Sequence, residues 1–177
     1  MTASRELRPS SKSRSRSTSR HSAARLAAVQ ALYQMEMTEA KAPIVIDEFL
    51  RHRLGADDAE AGGGGRVNEK LFSDIVRGVV VRGEEIDRKI AASLPENWQP
   101  ERLQIVLRCI LRAGALELMV RFEAPAAVVV SEYVRLAHSF FSEGEPALAN
   151  GVLDRLARDL RPGELEARDG AAGDAIG

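Results

Sequence analysis

Apolar residues recur at helical spacing along most of this chain, and that recurrence restricts the fold more than any other feature. Ala28, Val29, Leu32 and Met35 share one face of a first helix predicted to begin near Ser22, whose hydroxyl is placed to cap it. Pro43 opens a second helix with Ile46, Phe49, Leu50 and Leu54 on its stripe, proline suiting a first turn that has no partner for its missing N–H. Leu71, Phe72, Ile75, Val76, Val79 and Val80 give a third helix reaching about Arg82, which Gly83 bends or ends, and Ile86, Ile90 and Leu94 continue on a short fourth. Leu103, Val106, Leu107, Ile110, Leu111 and Leu118 define a long apolar fifth. Pro125 starts a sixth with Val129, Val130, Tyr133, Leu136, Ala137 and Phe140 inward, and Pro146 a seventh with Leu148, Val152, Leu156 and Leu160, stopped by Arg161-Pro162-Gly163. The VVV runs at 79–81 and 128–130 look like strands but lie inside longer 3.6-residue stripes, so the chain reads as all-α with about seven helices.

Two features interrupt the pattern. Gly55 to Gly65, GADDAEAGGGG, is predicted to be a flexible loop, and PENWQP, Pro95 to Pro100, divides the helical body into parts of about 21–94 and 100–162. Asn150-Gly151 is a hairpin dipeptide, yet helically spaced leucines and valines surround it, which places it within the last helix. A glycine there costs about 1 kcal/mol against alanine, and the simplest recovery is close approach of a neighbouring helix.

The net charge of −1 conceals a separation. Residues 1–25 hold seven Lys or Arg against one Glu, which leaves the remainder at −7. Residues 1–20, rich in Ser and Arg, have nothing to bury and are predicted to form a disordered basic arm, with 163–177 a second loose tail. A transit peptide has a similar composition, but cleavage would remove core positions of the first helix. The single cysteine, Cys109, lies in an apolar run, excludes an internal disulfide and suits a reducing, cytoplasmic setting. No apolar stretch approaches the ~20 residues that span a bilayer.

The residues offer no catalytic set. His21, His52 and His138 are far apart without metal-ligand neighbours, and the glycines at 62–65 follow no strand and lack a phosphate-binding lysine. Ser131-Glu132 lacks an orienting histidine. Neither metal nor cofactor is expected, nor an enzyme. Binding remains. The arm runs into a helix carrying Arg20, His21, Arg25 and, two turns on, Tyr33, the mixture of cations and rings that holds single-stranded nucleic acid. Tyr33 fits core packing equally well, and the arm fits a solvated tail.

Three stretches, ARLAAVQALYQME (Ala24 to Glu36), VLRCILRAGALELM (Val106 to Met119) and ANGVLDRLARDLRP (Ala149 to Pro162), resemble the first, fifth and last helices of the NusB family of bacterial antitermination factors. The resemblance covers about residues 21–162. It implies two small helical bundles packed crosswise and a non-enzymatic role. The partners it implies are boxA-type single-stranded RNA, the small-subunit ribosomal protein NusE and the RNA polymerase antitermination complex, acting in rRNA transcription. On that basis Arg20 and Arg25 are expected to meet phosphates with His21 in support, and Tyr33 a base. Two departures stand out. The arginine cluster that many relatives carry before the first helix reads His21-Ser22-Ala23 here, and Leu148 replaces an aromatic residue before Asn-Gly, so Phe140 or Phe141 is left to supply stacking. Two alternatives remain: a helical adaptor that binds only protein, and the front part of an rRNA methyltransferase, for whose cofactor domain 177 residues leave no room.

Overall fold

The computed structural model describes residues 11–54, 67–120 and 123–165, with the side chains of 11–17 outside the description. The expectations for residues 1–10, for the 55–65 loop and for the tail from 166 onward fall outside the described residues. Among those described there are seven α-helices and no strand: α1 Ser11–Thr38, α2 Ala42–His52, α3 Glu69–Val81, α4 Gly83–Ser93, α5 Ile105–Val120, α6 Ala126–Phe140 and α7 Glu145–Leu160, with one 3-10 turn at Pro100–Arg102.

The predicted stripes face inward almost throughout. Phe49 and Phe72 stack at 5.5 Å between α2 and α3, and Ile75, Leu107, Ile110, Leu111, Tyr133 and Leu153 are fully buried. Val80 is an exception; it is half exposed, because Val76 and Val79 already occupy the inward side of that turn. Cys109 is buried, and burial pushes its thiol up to about 11, which leaves it protonated and inert.

α1, α2 and α3 pack on one another, and α5, α6 and α7 form a second group. α4 joins the second group: it packs chiefly on α5 and α7 and only lightly on α3, so the packing changes partners at Gly83, earlier than the PENWQP break. A polar cluster reinforces this. Arg112 of α5 makes two 2.8 Å bonds to Asp87 of α4 and also engages Glu36 of α1, while Arg108 reaches the other Glu36 oxygen at 3.1 Å. Burial alone would raise the Glu36 carboxyl, but the hydrogen bond and charge of Arg112, aided by Arg108, outweigh it and hold the group below its ordinary range.

Two boundaries differ from the sequence expectation. α1 extends back to Ser11 through part of the stretch predicted to be disordered. Adding turns to a helix already nucleated by packing carries no nucleation cost, and arginine is a good helix former. Ser22 is therefore interior to α1 and caps nothing. Its hydroxyl reaches the Thr18 carbonyl at 3.0 Å and contacts the Glu132 carboxylate. At the other end, Leu165 is buried and Glu164 accepts the Ala126 backbone N–H at 2.9 Å, so packing continues past Pro162.

Asn150-Gly151 lies inside α7 as predicted, but no helix among the described residues approaches it: a Cβ on Gly151 would meet none of their atoms within 4 Å. Close approaches are found instead at Gly78 of α3, where a Cβ would stand 2.6 Å from Leu116 Cδ2, and at Gly114 of α5, where it would stand 2.9 Å from Leu153 Cδ2 and 3.2 Å from two ring carbons of Tyr133. Opposite outcomes follow in urea denaturation. Gly151→Ala is expected to add about 1 kcal/mol of stability by helix propensity, and Gly114→Ala to remove roughly 1–3 kcal/mol by overpacking.

Candidate nucleic-acid interface

The first described turns of α1, the start of α3 and the junction between α5 and α6 enclose a cleft of about 490 Å³. Asn68 ties two of these elements together. Its Oδ1 accepts the Leu71 N–H at 2.9 Å and so caps α3, its Nδ2 lies 3.2 Å from His21 Nε2, and its backbone N–H donates to the Arg20 carbonyl at 3.3 Å. Leu71, Pro125 and Val128 supply apolar walls. Lys70 stands at the rim, bonded to Asp74 one turn on.

The floor is a buried ionic cluster. Arg25 is 3% exposed and donates from Nε and Nη2 to the two oxygens of Glu117 at 2.8 and 2.9 Å, with Nη1 3.6 Å from Glu132. Tyr133 donates its hydroxyl to Glu117 at 2.7 Å, so a fully buried carboxylate has three donated bonds. Burial opposes the charge on Arg25, but the paired Glu117 more than compensates and raises its pKa. Burial, then Glu117, pushes Tyr133 well above its ordinary value and keeps it a donor.

This corrects the expectation for Arg25. Its guanidinium is committed to Glu117 below the surface and is not presented to a phosphate; a phosphate there would have to displace a bidentate, desolvated carboxylate. The other expected residues keep an accessible face. Arg20 is exposed, and His21 is half-buried at the cleft mouth. Tyr33 is 39% exposed, which separates it from the core stripe of Ala28, Val29 and Leu32. Phe140 is 43% exposed at the end of α6, contrary to its place on the inward stripe, while Phe141 packs partly against the core.

These side chains do not converge on one pocket. Twelve positions separate His21 from Tyr33 along α1, roughly 18 Å at the helical rise, so the surface suits an extended ligand rather than a small molecule. Sequence reasoning missed Asn68 and Glu117, and considered Glu132 only as a catalytic base beside Ser131, which it set aside. Glu117 carried a usable signal, since a lone carboxylate inside the apolar run LRAGALELM implies a buried cation to match it.

A second buried arginine fixes the cleft's far wall. Arg161, 2% exposed at the end of α7, donates to the carbonyls of Leu118 at 2.9 Å, Glu117 at 2.5 Å and Ala124 at 2.8 Å. It thereby caps the end of α5 and pins the segment entering α6.

No helix among the described residues is long and apolar enough to cross a membrane. A family model described as the NusB family matches residues 22–158. The transcription antitermination protein NusB of Sphingopyxis alaskensis is 48% identical over 142 residues, covering 79% of this chain and 93% of its own. The protein of that name from Caulobacter vibrioides is 48% identical over 140 residues, with the same coverages. The solved T. maritima NusB superposes with a TM-score of 0.67 at 26% identity, covering 82% of this chain and 96% of that one. The relatives so named are transcription antitermination factors rather than enzymes. With a matched span that takes in most of the cleft lining and all seven helices in whole or part, the chain belongs to the NusB family.

Proposed function

We propose that this protein is a transcription antitermination factor of the cytoplasm that binds boxA-type single-stranded RNA together with the ribosomal protein NusE. It does so within the RNA polymerase antitermination complex on rRNA operons. The observation that carries this reading is the pairing of near-full-length relatives named for antitermination with a strongly uneven charge distribution. Leaving aside the buried Arg25, six cationic residues fall in the first 20 positions against one Glu, while the rest of the chain is net acidic. Polyanion attraction is thereby confined to the start of α1 and whatever precedes it, because screening at cellular salt limits each phosphate to charges within about 8 Å.

Arg20 and His21 would meet phosphates at the cleft mouth, and Tyr33 and Phe140 would offer rings to bases further along, each stack being worth about 1–3 kcal/mol. Arg25 acts beneath them by holding α1 against α5 and α6. No bond is made or broken.

The experiment is a titration of boxA RNA, with a scrambled RNA as control, with and without NusE and over a range of salt. RNA binding that weakens with salt and tightens when NusE is added supports the reading. Affinity for NusE with no RNA binding would favour the helical adaptor instead.

A further inference from the structure

We infer that the cleft at the base of α1 receives one amino-bearing nucleobase, adenine or cytosine, from the bound RNA while excluding its phosphates; this rests on the RNA-binding reading above. Three observations support it. The first is shape. A 490 Å³ concavity walled by Leu71 on one side and by Pro125 and Val128 on the other offers apolar surfaces to a flat ring.

The second is charge. Four carboxylates line the cleft, Asp74, Glu117, Glu123 and Glu132, against two permanent cations, Arg25 and Lys70. Arg25 is paired with Glu117 and lies 3.6 Å from Glu132, Lys70 is paired with Asp74, and Glu132 is also paired at 3.1 Å with Arg135, which is outside the lining; within the lining itself the carboxylates still outnumber the permanent cations by two. A phosphate would meet net negative potential there. An exocyclic amino group, which donates two hydrogen bonds, meets acceptors. Glu132 is the acceptor best placed for it: among the described residues, its Oε1 accepts only a 3.3 Å bond from the exposed Arg135.

The third is position. The mouth of the acidic cleft carries His21 and Asn68, directly beside Arg20 on the basic end of α1. A strand whose phosphates follow that end can turn one base inward past His21, so backbone and base are sorted by charge.

The test uses the full chain and equal-length oligo(A), oligo(C) and oligo(U), which carry the same phosphate charge, and compares the wild type with Val128→Trp and Glu132→Gln. Val128 is partly exposed, so tryptophan can block the mouth without entering the core; circular dichroism and thermal melting confirm folding. The expected result is preference for oligo(A) and oligo(C) over oligo(U) on the order of tenfold, the scale of one base-edge contact. Val128→Trp is expected to reduce oligo(A) and oligo(C) to the oligo(U) level, and Glu132→Gln to narrow the preference. RNA binding without base preference, or a preference that survives Val128→Trp, overturns the inference while leaving the RNA-binding reading intact. A tri-lysine peptide whose binding Val128→Trp abolishes, in a protein that shows no base preference, would assign the cleft to a basic peptide and also overturn it. Failure to bind any RNA removes both.

Discussion

Replacing Arg25 by methionine is expected to lower stability by about 3–5 kcal/mol, the cost of leaving one member of a buried ion pair without its partner. Glu117 is wholly enclosed, and both of its oxygens accept from Arg25. Methionine can fill much of the volume but donates nothing, so only the Tyr133 hydroxyl remains to Glu117. For a domain of this size the loss corresponds to a fall in Tm of roughly 6–20 °C. The double variant Arg25→Met/Glu117→Gln should regain most of it, because glutamine carries no charge and still accepts from Tyr133. The pair of variants separates the two roles considered for Arg25. A phosphate-contacting arginine would lose RNA affinity on substitution and keep its Tm, whereas the buried one loses Tm first and regains it in the double variant.

The second large effect is expected at Arg161. Its three guanidinium nitrogens serve carbonyls of Glu117, Leu118 and Ala124, and the first two belong to the last turn of α5, where no intrahelical donor exists. Arg161→Met strands all three, and at about 1 kcal/mol each the loss is about 3 kcal/mol. Arg161→Lys is expected to recover a minor part, since a single ammonium cannot reach three acceptors held in a fork. Urea denaturation reads the magnitude. Hydrogen exchange locates it: the amides at the start of α6 should open faster, because Ala126 is held through Glu164, which also lies 3.5 Å from Arg161. An unchanged midpoint in Arg161→Met would mean that water replaces the guanidinium at no cost.

Periodicity made the helices legible because each stripe is decided locally. Phe49, Ile75, Ile110 and Leu156 point inward for reasons contained within a dozen residues of each. What depends on pairing between distant segments was not legible. Arg25 and Glu117 are 92 positions apart, and nothing near Arg25 distinguishes a buried arginine from one facing a phosphate. Gly151 and Gly114 show the same limit. Both sit in helices, and only the placement of Leu153 and Tyr133 determines that Gly114 is the crowded one. Tyr33 and Phe140 were ambiguous because a ring at the edge of an apolar stripe satisfies the pattern whether it is half-buried or exposed. The extension of α1 to Ser11 is a different case, in which local composition favoured disorder and a helix nucleated elsewhere prevailed.

Whether the cationic end of α1 holds the transcript is decided by the affinity for boxA RNA as a function of salt, measured for the full chain and for a chain without residues 1–20, each with NusE present. For the full chain, log K is expected to fall linearly with log salt. The shortened chain should show a shallower slope, by roughly 0.7 unit for each phosphate of a single strand that residues 1–20 no longer neutralise. Equal slopes for the two chains, or an affinity indifferent to salt, would contradict the assignment of the transcript to that end of the helix.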